Sequence, residues 1–218
     1  TEAQIEALCA HAVAHGVAAV CVLPAALPVA ARCLAGSRVR LATVANFPGG
    51  GDDLTGTADE IAAAVAAGAQ EVDIVAPLEA ALEGDVGLTG ELVALARDTA
   101  GPAITLKLIL ETGRLERPEL ITAVARSAVM AGVDFLKTST GKTPVGATPE
   151  AAALLFAVAR EAEGRVGVKL SGGVRTARDA MRYWQSGEAT MGADWLTPAH
   201  FRIGASKLLD ELQELLRP

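Results

Sequence analysis

The stretch Ala131-Gly-Val-Asp-Phe-Leu-Lys-Thr-Ser-Thr-Gly-Lys142 reads as a short buried strand, 133–136, that carries Lys137 inward and then breaks into a polar loop. An ammonium group at the end of an apolar strand is costly to desolvate, so it calls for a partner or a chemical role. A second stretch of the same build, Val166-Gly-Val-Lys-Leu-Ser-Gly-Gly-Val-Arg175, carries Lys169. The separation matches about one strand–helix–strand unit, which predicts two lysines on neighbouring parallel strands.

Outward from this pair, apolar runs and helical patterns alternate along the chain. Strands are predicted at 17–22, 39–44, 71–75 and 103–110, then at the two lysine stretches, with a last short one near Trp195 or at 202–203. Between them lie helices at 2–15, 28–34, 57–67, 88–99, 118–131, 149–163 and 177–186, and a terminal helix at 206–216. Gly16 suits the end of the first helix, and Thr55 or Thr57 the start of the third. Strands apolar on both faces and alternating with helices indicate a parallel sheet covered by helices. About seven even repeats with no dinucleotide fingerprint fit an α/β (β/α)8 TIM barrel better than a doubly wound sheet. The chain opens on a helix, so the barrel is expected to lack its first strand in this chain, or to be closed by another segment. No linker or low-complexity run divides residues 1–218, which are read as a single barrel domain.

The 218 residues suffice for a sizeable core, and 51% are hydrophobic, yet no stretch is long enough to span a membrane. The opening Thr1-Glu-Ala-Gln-Ile5 has no signal-peptide pattern. A net charge of −7 speaks against nucleic acid or an anionic membrane as partner. Cys9, Cys21 and Cys33 show no CxxC pairing and read as reduced core thiols of a cytoplasmic protein. His11 and His15 share a helix face, but Ala12 stands where a zincin motif needs Glu, so no metal site is expected.

In such barrels chemistry sits at the carboxyl ends of the strands. Those ends supply Cys21, Thr43, Asn46, Asp73, Lys107, Lys137 and Lys169. Three ammonium groups facing one carboxylate make a poor structural ion-pair network. They suit a reactive amine better. Two lysines about 5 Å apart repel by roughly 3 kcal/mol at an effective dielectric near 20, enough to lower one pKa by about two units. Desolvation acts in the same direction. The neutral lysine could condense with a carbonyl, and Asp73 could move the protons.

A second group of small residues follows the late strands: Thr140-Gly141-Lys142, Ser171-Gly172-Gly173 and Gly204-Ala-Ser206. Each alone could be a tight turn. Together on one side of a barrel they suggest a cradle for phosphate, though none is a P-loop.

At these residues the sequence resembles 2-deoxyribose-5-phosphate aldolases. The resemblance runs through Glu71-Val-Asp-Ile-Val75, Lys107-Leu-Ile-Leu-Glu-Thr112, 131–142, Val166-Gly-Val-Lys169, Gly172-Gly-Val-Arg-Thr176 and Phe201-Arg-Ile-Gly-Ala-Ser206, and is collinear from about Val17 onward. It implies a class I aldolase that cleaves 2-deoxy-D-ribose 5-phosphate to acetaldehyde and D-glyceraldehyde 3-phosphate. Lys137 matches the Schiff-base lysine, Lys169 the lysine that tunes it, and Asp73 the aspartate of the proton relay. Lys107 matches a further active-site lysine, while Gly141, Lys142, Gly172, Gly173, Gly204 and Ser206 match positions around the phosphate. The implied partners are a small phosphorylated sugar and aldehydes, with room for a homodimer and no metal or organic cofactor. An Asp-x-Thr segment on a first strand is not matched here. Lys207 replaces a small hydroxyl residue and should either strengthen phosphate attraction or point outward. Other readings are a phosphate-binding barrel enzyme without a Schiff base, such as an isomerase or synthase, or a non-catalytic sugar-phosphate binding protein.

Overall fold

A computed structural model describes residues 1–216. Seven strands form one sheet in sequence order, every neighbouring pair parallel: β1 (Ala19–Cys21), β2 (Arg40–Ala45), β3 (Glu71–Val75), β4 (Thr105–Ile109), β5 (Phe135–Lys137), β6 (Gly167–Ser171) and β7 (Phe201–Gly204). The sheet curls as a barrel does. Among the described residues β1 and β7 are not hydrogen-bonded to each other, which leaves the ring one strand short of eight. Helices flank the seam. The first helix, α1 (Glu2–His15), approaches the last: His11 Nε2 lies 2.9 Å from Gln213 Nε2 and 3.7 Å from Asp210 Oδ1.

The order of the other helices is α2 (Leu27–Leu34), α3 (Leu54–Ala66), α4 (Leu78–Glu83), α5 (Gly87–Ala100), α6 (Thr112–Leu115), α7 (Pro118–Met130), α8 (Pro149–Glu161), α9 (Ala177–Met191) and α10 (Leu208–Leu215). Each long helix lays an apolar stripe on the sheet, such as Leu120, Ile121, Val124 and Ala128 of α7 and Ala152, Leu155, Phe156 and Ala159 of α8. Full burial of each leucine, isoleucine or valine stabilises by about 1.5–3 kcal/mol. Phe156 is fully buried and its ring meets those of Trp195 and Phe201 at about 6 Å centroid separation, so Phe156→Ala should cost about 3–5 kcal/mol.

Several expectations need correction. The third helix starts earlier than predicted, at Leu54, because the Asp53 carboxylate accepts from the Gly56 amide and caps it. Thr57 lies inside that helix, its hydroxyl bonded to the Asp53 carbonyl. Two short helices, α4 and α6, follow β3 and β4, where the sequence reading had only loops; six and four residues are too few for a periodic signal. Helix α9 continues past Ser186 to Met191, because Gly187 fits against Phe156 and Leu196 without ending it. Trp195 belongs to a 3₁₀ turn, and the last strand is Phe201–Gly204. Of the cysteines, Cys9 is buried but Cys21 is exposed, so Cys21 is not a core thiol.

Candidate active site

Strand register decides which side chains look inward. Residues paired at the same level of a parallel sheet share a face, and alternate residues point the other way. The pairs Asp73–Lys107, Lys137–Lys169 and Lys169–Arg202 place these groups on the inner face, with Glu71 two residues before Asp73 on the same side. Thr43 pairs with Val72, which puts it on the opposite face from Asp73. There its hydroxyl donates to the Val22 carbonyl, so Thr43 drops out of the candidate set. Asn46 drops out as well. Its side chain ties the following loop together, donating to the Gly51 and Val75 carbonyls and accepting from the Gly51 amide.

What remains is a dense charge cluster around one carboxylate. Asp73 is fully buried, and Lys107 donates to its Oδ1 at 2.8 Å. Lys137 and Lys169 both donate to its Oδ2, each at 2.7 Å. The sequence reading counted one anion here, and that count was too low. Glu71 is also fully buried, takes Lys107 at 2.5 Å and is gripped by Arg202 Nη1 at 3.0 and 2.8 Å. Even so, three ammonium groups and the guanidinium groups of Arg202 and Arg40 face two carboxylates, so the cluster keeps a positive excess.

The electrostatic consequences differ between the two lysines. Burial pushes Lys137 below the ordinary lysine value; Lys169 pushes the same way and Asp73 opposes. Desolvation is therefore the leading cause, and charge repulsion, which the sequence reading put first, is secondary. Lys169 is just as confined, but Asp73, with Cys21 and Glu71, outweighs its burial and raises it. Burial works against the Asp73 carboxylate too, yet the three lysines hold it well below the usual carboxylate range. For Glu71 the pull of Lys107 and Arg202 exceeds the effect of burial and lowers it. Of the paired lysines, Lys137 is thus the readier to lose its proton, beside an ionised carboxylate.

The late loops meet above this cluster. A side chain added at Gly172 would lie 2.9 Å from the Gly146 Cα and 3.6 Å from the Gly141 Cα, so these backbones need glycine to approach. Gly204 is in register with Ser171, and a Cβ there would sit 3.2 Å from the Lys169 Cε. Gly141, Gly172 and Gly204 are thereby brought to the mouth over the lysines. Gly173, Lys142 and Ser206 are exposed. Thr140 gives its amide (3.2 Å) and its hydroxyl to the buried carboxylate of Glu111, which also accepts from the Thr143 hydroxyl at 3.0 Å. Lys207 is exposed, and the last helix begins at Leu208 with Asp210 and Glu211 in its first turn, so carboxylates already serve its positive end.

Sequence reasoning missed Glu71, Glu111 and Arg202 as parts of this site. Glu71 carried a usable signal, because an acid two residues from Asp73 on a strand must share its face. Among the described residues no group of His, Cys, Asp and Glu side chains is placed to hold a metal ion, and no helix is long and apolar enough to cross a membrane.

Comparison with known proteins points the same way. Residues 1–214 match the model of the DeoC/LacD family aldolases. A protein assigned as a deoxyribose-phosphate aldolase from Coccidioides immitis has 31% sequence identity and a TM-score of 0.88, the match covering 99% of this chain and 79% of that one. The tetrameric deoxyribose phosphate aldolase from Aeropyrum pernix has 27% identity and a TM-score of 0.80, covering 99% of this chain and 86% of that one.

Proposed function

The chain belongs to the DeoC/LacD family of aldolases, and from that premise we propose that it is a class I enzyme cleaving 2-deoxy-D-ribose 5-phosphate reversibly to acetaldehyde and D-glyceraldehyde 3-phosphate. The observation that carries this reading is the convergence of Lys137 and Lys169 on one oxygen of Asp73 in a buried interior. The neutral Lys137 amine attacks the C1 aldehyde of the open-chain sugar, giving a carbinolamine that loses water to form an iminium. Asp73 carries protons in this step, as it lies within hydrogen-bond reach of the reacting nitrogen. Loss of the C3 hydroxyl proton lets the C2–C3 pair flow into the iminium. D-Glyceraldehyde 3-phosphate departs and an enamine remains on Lys137. Protonation of C2 and hydrolysis of the new iminium release acetaldehyde and restore the amine.

Lys169 remains charged throughout and favours the neutral form of Lys137. The phosphate is taken at the rim formed by Thr140, Gly141, Lys142, Gly172, Gly173, Gly204 and Ser206, with Lys107 completing the interior. We read this machinery as carried on one barrel domain of a cytoplasmic enzyme that salvages deoxyribose phosphate and needs no metal or organic cofactor. Support comes from the family match and from the glycine approaches over the lysines. Incubation with acetaldehyde and borohydride, followed by peptide mass spectrometry, should place a reduced two-carbon adduct on Lys137. An adduct on another lysine, or none, sinks the assignment. Release of aldehyde from 2-deoxy-D-ribose 5-phosphate in a coupled assay tests the substrate separately.

A further inference from the structure

Glu71 is fully buried one level beneath Asp73 on the same strand face, and its partners come from three other strands. Lys107 of β4 lies 2.5 Å from Oε2, Arg202 of β7 donates at 3.0 and 2.8 Å, and Arg40 Nε of β2 lies 3.2 Å from Oε1. Lys107 also reaches Asp73 Oδ1 at 2.8 Å, so its ammonium bridges the two carboxylates. Arg202 crosses the interior to reach Glu71, with its guanidinium 4.9 Å from the Phe135 ring centroid, and is the register partner of Lys169.

Resting on the Schiff-base reading above, we propose that Glu71 is a positioning residue for the amine chemistry, clamping Lys107 and Arg202 so that Asp73 meets Lys137 with one carboxylate oxygen already occupied. A buried carboxylate confined to fold stability could be satisfied by any well-placed cations and donors. Glu71 instead holds the cation that fixes the orientation of Asp73 and the one level with Lys169. With Oδ1 tied down, the carboxylate cannot rotate, and Oδ2 is presented to both lysines above. Glu71 also counts among the groups that keep Lys169 charged. It contributes to the asymmetry that leaves Lys137 as the nucleophile.

The titratable groups facing Lys137 are Asp73, Lys169 and the Cys21 thiol, so a change at Glu71 or Arg202 reaches it indirectly, through Lys107, Asp73 and Lys169. Removing the Glu71 charge leaves more uncompensated positive charge in the barrel and should make Lys137 easier to deprotonate. Removing the Arg202 charge should do the opposite.

The test is the pH profile of acetaldehyde–borohydride labelling of Lys137, read by mass spectrometry in the parent protein, Glu71→Gln and Arg202→Gln. The midpoint should fall in Glu71→Gln and rise in Arg202→Gln, each by about half a unit to one unit. A purely structural role would lower the melting temperature of both without moving the midpoints in opposite directions. Midpoints that stay in place, or shift in the same direction, overturn the proposal. If Glu71→Gln does not fold, Arg202→Gln decides alone: an upward shift supports the role, and no shift or a downward one overturns it. Absence of any Lys137 adduct in the parent protein would instead strike at the Schiff-base reading.

Discussion

Lys137 and Lys169 are register partners on β5 and β6, and their ammonium groups end on the same oxygen of Asp73. Only one of them can be held there as a full ion pair without penalty to the other, and the field favours Lys169. Lys169→Leu removes a positive neighbour of Lys137 and leaves Asp73 Oδ2 to it alone. Both changes favour the protonated amine. The pH at which half of Lys137 is trapped by acetaldehyde and borohydride should rise. It should still stay below that of an ordinary lysine, because burial is the larger cause of the depression. A profile unmoved by Lys169→Leu would mean that desolvation alone prepares the nucleophile.

Burial disfavours the charged form of Lys137, and that has a consequence for stability. A lysine whose folded pKa lies below its unfolded value destabilises the folded state in full below the folded pKa, and the penalty fades as pH rises through the unfolded value. Lys137→Met keeps an unbranched side chain one atom shorter, removes the charge and leaves Asp73 still paired with Lys107 and Lys169. It should abolish the aldehyde adduct and raise the melting temperature by roughly 2–4 °C, which corresponds to about 1 kcal/mol in a chain of this size. Thermal unfolding at neutral pH, run beside the trapping assay, measures both. A lower melting temperature would show that the lysine contributes more to the fold than its depressed pKa implies.

How much of this could be read in the chain depends on the kind of signal. Strand β3 was placed to the residue because Glu71-Val-Asp-Ile-Val is short, β-rich and bounded by turn residues. The two lysine strands were recognised because a charge follows an apolar run. Helices α4 and α6 were missed, since one or two turns carry no period. At the site, Lys137, Lys169, Lys107 and Asp73 were legible from strand ends, whereas Arg202 was not. Its guanidinium reaches a residue 131 positions away, and only the curl of the sheet brings them together. Glu111 stayed hidden for a different reason: it lies just beyond its strand with φ at 50°, where alternation no longer says which way a side chain points.

Asp73 joins the proton chemistry to the stability of the interior. Asp73→Asn leaves three buried ammonium groups around a neutral amide, and loss of one partner in such a cluster costs about 3–5 kcal/mol. Turnover should fall by about 10²–10⁴, the range for loss of a positioned acid–base group. The acid limb gives a further check. Asp73 and Glu71 are both lowered in the folded state, so the stability they contribute is complete above their unfolded values, near pH 4 to 4.5. It is lost as pH falls through the lower folded values. Urea unfolding between about pH 4.5 and 2 should therefore show a shallower pH dependence in Asp73→Asn than in the parent, which has one more depressed carboxylate to protonate. Parallel curves would mean that Asp73 is not the group whose protonation loosens the barrel.

Glu111 governs the loop that carries the rim over the lysines. Its carboxylate is buried, accepts from Thr140 and Thr143, and has no ion-pair cation among the described residues, so its hold on that loop is by hydrogen bonds alone. Those bonds fix the backbone on either side of Gly141 and Lys142, where the phosphate is proposed to sit. Glu111→Ala should release the loop without touching the lysine cluster. The Lys137 adduct with acetaldehyde, which has no phosphate, should form with an unchanged pH midpoint. The KM for 2-deoxy-D-ribose 5-phosphate should rise about tenfold, equivalent to about 1.4 kcal/mol of lost binding, with a much smaller change for unphosphorylated 2-deoxy-D-ribose. Equal losses for both sugars would place the phosphate elsewhere on the mouth and leave Glu111 as a brace of the loop alone.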